Sequence, residues 1–297
     1  MLEKQFLDYL QYVKNYSPHT IGAYQNDLQQ FGAHLSQHFD IQPFKDASSL
    51  KKVSPAMCRS FFASLKAQKS TLQRKKSSLK RFFKYHITQK NIASSPLTFL
   101  SFKGGEKKIP PVALEAEINA LLDTMQGMTV FETVRDWCIL ETLYGCGLRR
   151  SELIGIQLKD IDIKNRLILI RGKGKKQRLQ PFNAAVARAM EAYMQVCQSE
   201  GCDIHKSFFL TAKGEPLYPK LVYRIVKKYL TPLSYLERRS PHILRHTFAT
   251  HLLNNGADLL AVKELLGHAH IKSTEKYLRG SIHKLKEIYK NAHPRAE

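Results

Sequence analysis

Between Ser94 and Pro111 the chain reads SSPLTFLSFKGGEKKIPP, and this stretch limits the fold more than any other. Pro96, the Gly104-Gly105 pair and Pro110-Pro111 stop helix and sheet alike, while three lysines keep the segment in water. A chain of 297 residues broken here becomes two pieces, each long enough to bury its own core. The expected organisation is a first domain over 1–102, a linker over 103–111 and a second domain over 112–297.

The first piece reads as helices. Ser17 is placed to cap a helix that starts at Pro18, and Ser54-Pro55 repeats that start for a helix carrying Phe61 and Phe62. From Ser70 to Lys90 the spacing predicts a further helix, with Leu72, Leu79, Phe82, Phe83 and Ile87 on one side. Around the rest of it stand Arg74, Lys75, Lys76, Lys80, Arg81 and Lys84. Residues 51–100 contain no Asp or Glu, and a merely solvated face would mix signs, so these six side chains are candidate contacts to a phosphate backbone.

Charge over the whole chain agrees: 47 Lys and Arg stand against 25 Asp and Glu, a formal charge of +22. An anionic partner is implied, with nucleic acid ahead of a membrane surface, because no run of about 18 apolar residues occurs and the basic residues are spread through patterned segments. The five cysteines show neither C-x-x-C spacing nor an even-numbered framework, which points to reduced thiols and a cytoplasmic setting. Cys197, Cys202 and His205 lack a local fourth ligand, so no metal site and no cofactor are expected.

The second piece mixes helices with one hairpin. Amphipathic helices are expected over LEAEINALLDTM and VFETVRDWCILETLYG. Gly145 and Gly147 then allow a tight turn, and Ser151-Glu152 open a short helix, so Arg149 or its neighbour Arg150 can reach into a cleft. RLILIRGKGKKQRLQPF reads as two strands around Gly172-Lys173-Gly174. Farther on, a basic helix runs through Tyr223, Arg224, Lys227 and Lys228, and TFATHLLNNGADLLAVKELLGHAH has the form of two helices joined at Asn254-Asn255-Gly256. On the first of these, His242 and Arg245 stand three apart and share a face. Such a pair suits a phosphate: Arg is a permanent bidentate donor and His exchanges a proton near neutrality. Tyr277 follows in a polar segment, and a tyrosine hydroxyl of pKa about 10 becomes a nucleophile only beside cations and a base.

His242-Ile-Leu-Arg245, Leu266-Gly267-His268 and then Tyr277, nine residues after that histidine, together resemble the signature of the tyrosine recombinase (phage integrase) family. The closing His293-Pro294-Arg295-Ala296 is similar to the chain end of its Xer branch, although Tyr277-Leu278-Arg279 replaces the more familiar Tyr-Thr-His. The resemblance implies a mainly α fold with a small β-sheet. Its parts are an all-helical, SAM-like core-binding domain that forms half of a clamp on DNA, and a mixed α+β catalytic domain ending in a helix exchanged between protomers. By the same resemblance, Arg149 in Gly147-Leu148-Arg149 would be the first catalytic arginine, and Lys173 in the Gly-Lys-Gly turn would be the proton donor to the leaving 5′ oxygen. Tyr277 would be the nucleophile, with Tyr289 next in line; Arg149 and Arg245 would stabilise the transition state, His242 act as base, and His268 donate to the phosphate.

The implied activity is site-specific DNA recombination through a 3′-phosphotyrosyl intermediate and a Holliday junction, with no metal or ATP. Implied partners are duplex DNA with paired half-sites and a homo- or heterotetramer with a related recombinase, with a DNA translocase or accessory protein as a further partner; the expected location is the bacterial cytoplasm, at the nucleoid. Chromosome or plasmid dimer resolution leads. Integration of a mobile element, a type IB topoisomerase, and a regulator that uses residues 242–277 only as a helix-turn-helix remain as alternatives.

Overall fold

A computed structural model describes residues 1–98, 112–172, 177–233, 235–236, 239–267 and 278–295. Its chain gathers into two compact units, Met1–Lys107 and Lys108–Glu297. Lys173, His268, Tyr277 and the linker 103–111 lie outside the described residues.

The first unit is helical: α1 (Leu2–Asp8) running into a turn of π-helix, α2 (Pro18–Phe39), α3 (Ala47–Lys51), α4 (Pro55–Ser64) and α5 (Lys69–Thr88). The two expected caps form: Ser17 accepts from the Thr20 N–H, and Ser54 from the Met57 N–H. The core is aromatic. Phe6 meets Phe82 edge-on at 5.4 Å between ring centres, and Phe31 meets Phe61 at 5.1 Å. Inside it lies a carboxylate, Asp27 of α2, with no exposure at all. Arg74, Lys75 (3.0 Å) and Ser78 (2.7 Å) of α5 all donate to it, and Lys75 also reaches Gln30 at 2.6 Å. Lys75 is therefore a buried partner of α2, which corrects its reading as a phosphate contact. A burial this complete is tolerable only because the ammonium has a carboxylate and an amide oxygen to donate to. Arg74 is half exposed beside the same carboxylate, while Lys80, Arg81 and Lys84 stay exposed, Arg81 lying over the Tyr16 ring at 5.1 Å.

The second unit is built on α7 (Phe131–Cys146), which follows α6 (Glu115–Asp123). Instead of the expected amphipathic helix, α7 is buried from Val134 to Cys146 on every side. Its sequence is apolar at Trp137, Ile139, Leu140, Leu143 and Tyr144, which leaves no polar face to turn outward. The charges it carries are matched: Arg135 forks onto Asp136, and Glu141 accepts from Arg295 at 2.8 Å. Next come α8 (Arg150–Ile154), a three-stranded antiparallel sheet of β1 (Ile161–Asp162), β2 (Leu167–Arg171) and β3 (Gln177–Pro181), then α9 (Ala184–Ser199), α10 (Pro219–Leu230), α11 (Pro241–Asn254), α12 (Leu259–Leu265) and α13 (Leu278–Ala292). α7 packs mainly on α9 and α11. Both backbone groups of Ala113, just past the linker, are taken by α11: the N–H donates to Thr247, and the carbonyl accepts from the His251 ring, whose other nitrogen meets the Tyr144 hydroxyl at 2.9 Å.

At the end of the chain, Leu285, Tyr289 and Ala292 of α13 are buried in the core of their own unit. The Tyr289 hydroxyl donates to the Gly145 carbonyl at 2.7 Å, and the buried His293 ring stacks on Tyr289 with centres 5.0 Å apart. Burial pushes the Tyr289 hydroxyl well above its ordinary range.

Candidate active site

Three motifs far apart in sequence meet at one carboxylate, that of Glu152. Arg149 caps α8, where its N–H donates to Glu152 Oε2 at 2.9 Å and its Nη1 to Oε1 at 2.6 Å. Arg178 of β3 forks onto both oxygens at 3.1 Å each. Arg245, one turn into α11, brings Nη1 to 3.7 Å from Oε2. Its guanidinium also donates to backbone, to the Gly147 carbonyl at 2.7 Å and the Leu266 carbonyl at 2.5 Å. Arg245 thus ties the turn before Arg149 to the Leu266-Gly267 turn. Arg150 points away, donating to the Pro219 carbonyl at 3.4 Å, whereas Arg149 joins the cluster.

Gly147 makes this meeting possible. It ends α7 with φ +59, and a Cβ there would lie 2.3 Å from the Phe248 ring. Only glycine allows α11 to come close enough for Arg245 to reach the Gly147 carbonyl.

Among the described residues, three guanidiniums share this one carboxylate. Burial, followed by the neighbouring charge of Arg149, pulls Arg245 down to about 10, still cationic at neutral pH. Burial alone would raise Glu152, but the bonds and charge of Arg178 and then Arg149 outweigh it and hold the carboxyl below its ordinary range. Exposure grades the three: 9% for the Arg245 side chain, 17% for Arg178 and 36% for Arg149. Arg149 is the most open of them. His242 is exposed on the first turn of α11, three residues before Arg245. An anion bound here would meet preorganised cations, the arrangement that stabilises a developing oxyanion on phosphorus.

Of the six expected catalytic residues, the described part of the structure brings Arg149 and Arg245 together and sets His242 on the same helix as Arg245. Lys173, His268 and Tyr277 lie outside it: the paired strand ends Arg171 and Gln177 flank residues 173–176, and Gly267 immediately precedes His268. Sequence reasoning missed Glu152 and Arg178. Glu152 had a usable signal, the three-residue spacing of a capping box with Arg149, whereas Arg178 is one basic residue among many beside the hairpin. A second basic surface lies on α10, where Lys220, Arg224, Lys227 and Lys228 are exposed.

Residues 112–283 match the phage integrase family, and residues 4–90 match the phage integrase N-terminal SAM-like domain. The chain belongs to the phage integrase family, as a tyrosine recombinase of the Xer branch. It is 38% identical to tyrosine recombinase XerC of Chlorobaculum parvum, over 98% of this chain and 94% of the relative. It is 37% identical to tyrosine recombinase XerC of Listeria innocua, over 99% of this chain and 98% of the relative. Among solved structures the fold is similar to XerH site-specific recombinase in a post-cleavage complex with palindromic difH substrate, with a TM-score of 0.72 at 22% identity over 96% of this chain and 83% of that one. It is also similar to the Tn1549 transposon integrase in complex with transposon right end DNA, with a TM-score of 0.69 at 22% identity over 96% of this chain and 99% of the other. This recombinase therefore has the mainly helical, two-part fold with a small sheet that its motifs imply.

Proposed function

We propose that this recombinase cuts and rejoins duplex DNA at specific paired half-sites through a 3′-phosphotyrosyl ester on Tyr277, and that its role is Xer-type resolution of chromosome or plasmid dimers. The observation that carries the chemistry is the convergence of Arg149, Arg178 and Arg245 on Glu152, with Arg149 open to solvent and Arg245 buried. In this reading Tyr277 attacks the scissile phosphorus and the 5′ oxygen leaves with a proton from Lys173. His242 takes the tyrosine proton, while Arg149, Arg245 and His268 hold the non-bridging oxygens of the pentacoordinate state. The ester keeps the energy of the broken bond, so a 5′ hydroxyl from a partner strand can reverse the step without ATP.

The XerC names of the full-length relatives support the dimer-resolution role. Exposed Lys80, Arg81 and Lys84, with half-exposed Arg74, supply cations for the phosphate backbone on the first unit, and α10 supplies them on the second. Assembly is proposed as four protomers, of this chain alone or with a related recombinase. The test is covalent trapping on genomic DNA with the wild-type chain and with Tyr277→Phe. Adducts confined to one chromosomal locus, and absent from the Phe variant, are expected. Adducts at the ends of a mobile element would replace the role but keep the chemistry, and adducts that persist in the Phe variant would overturn the assignment of the nucleophile.

A further inference from the structure

Arg178 has two attachments that no single structural role requires. One end of its guanidinium forks onto both oxygens of Glu152 at 3.1 Å. Its Nε donates to the Leu265 carbonyl at 3.2 Å, and also lies 3.4 Å from the Gln180 amide oxygen of its own strand. Its planar head lies against Gly267, where φ is +66 and a Cβ would come within 3.1 Å of Nη1. The same side chain thus touches the carboxylate shared by Arg149 and Arg245, and the turn that leads directly into His268. It does so from β3, the strand whose end Gln177 pairs with Arg171 across the Lys173 segment. All three nitrogens of its guanidinium are committed, both Nη to Glu152 and Nε to the Leu265 carbonyl, so it is poorly placed to take a substrate oxygen itself.

We propose that Arg178 is a positioning residue for strand cleavage: it fixes the Glu152 carboxylate, and through it Arg149 and Arg245, in register with the Leu266-Gly267 turn and the hairpin strand. The physical reason lies in the shape of guanidinium. A planar fork can hold a carboxylate with two bonds and still offer Nε to a carbonyl in another direction, which an ammonium cannot. Without Arg178, Glu152 keeps Arg149 and Arg245 as partners but loses the brace that sets its plane, and the two arginines gain freedom to follow it. Displacements of this kind, on the order of 1 Å, cost roughly a hundredfold in rate where the chemistry depends on alignment.

The proposal rests on the reading that Tyr277 cleaves DNA, and the test separates the two. The full chain is mixed, in single turnover and at saturating protein, with a nicked duplex carrying the site recovered by genomic trapping. DNA affinity and the thermal midpoint are measured on the same preparations. If the wild-type chain forms no Tyr277 adduct, the functional reading itself has failed. Given that adduct, Arg178→Gln is expected to bind the duplex within about twofold of wild type and to cleave it roughly a hundredfold more slowly. Arg178→Lys, which keeps the charge and loses the fork, should recover only part of that rate. In a Glu152→Gln background the Arg178→Gln change should add little further loss, because its target is already gone. A wild-type rate in Arg178→Gln or in Arg178→Lys would overturn the proposal. So would a loss that tracks the unfolded fraction, or one fully additive with Glu152→Gln.

Discussion

Both units of this recombinase bury a carboxylate shared by several basic side chains, Asp27 in the first and Glu152 in the second, and the two clusters do different things. Asp27 takes Arg74, Lys75 and Ser78, all from α5, so its bonds join one pair of helices. Glu152 takes Arg149, Arg178 and Arg245, from the start of α8, from β3 and from α11, and two of those arginines also hold the carbonyls of Gly147, Leu265 and Leu266. The first cluster is a staple; the second is a hub. At the staple a lysine is sealed in and its charge consumed. At the hub, among the described residues, three guanidiniums share the carboxylate, and the protein keeps Arg245 cationic against the pull of burial and of Arg149. Burying Arg245 costs stability that a bound anion would offset, which fits the proposed division into scaffold and site.

The largest contrast should come from removing the acids. Glu152→Gln releases three arginines at once and is expected to lower cleavage by a factor on the order of 10³, with affinity for DNA held or raised. Asp27→Asn leaves Lys75 buried without its charge partner, and should destabilise the first unit by about 3–5 kcal/mol while leaving the cleavage rate per folded molecule unchanged. Equal effects of both variants on cleavage would erase the distinction between staple and hub.

Deleting residues 281–297 sharpens the same point at the end of the chain. Because Leu285, Tyr289 and Ala292 close the core of the second unit, the truncated chain should lose several kcal/mol and bind DNA poorly even as a single protomer. Calorimetry of the truncated chain would show it; an unchanged midpoint would mean that the helix is dispensable in cis.

Acid should weaken both units through buried histidines, among them His86 in the first and His293 in the second. Burial lowers His86 to about 4 and His293 to about 3, so the unfolded chain binds the proton first as pH falls below about 6.5. Their stabilisation is complete above that pH and is lost on descending toward 4 for His86 and toward 3 for His293. His293→Asn should flatten the fall in stability between pH 6 and 4, by up to about 1 kcal/mol per pH unit, in urea titrations. The smallest effect is on binding. Neutralising Lys80 and Lys84 should reduce the slope of log affinity against log salt by roughly one unit for each phosphate that the variant leaves unneutralised, whereas Lys75→Gln should change stability and leave the slope alone.

The sequence by itself determined what depends on near neighbours. Ser17 and Ser54 cap their helices because a hydroxyl can reach an N–H three residues on, in any context. Gly147-Leu148-Arg149 and His242-x-x-Arg245 were legible for a similar reason, since a turn and a helical face convert spacing into direction. The resemblance to a known family then supplied roles for residues such as Lys173, His268 and Tyr277. Only the tertiary structure decided which charges meet. Lys75 and Lys84 look alike on α5, and one is sealed against Asp27 while the other faces water, because Asp27 lies 48 residues away from Lys75 on another helix. Arg178 is a single basic residue in a basic chain until β3 sets it between Glu152 and Leu265. The apolar side of the terminal helix was visible in sequence, and the surface of its own unit that Leu285, Tyr289 and Ala292 pack against was not. Local rules reach three or four residues along the chain; a buried ion cluster is assembled across far longer separations, and its energy depends on desolvation that only the packed chain creates.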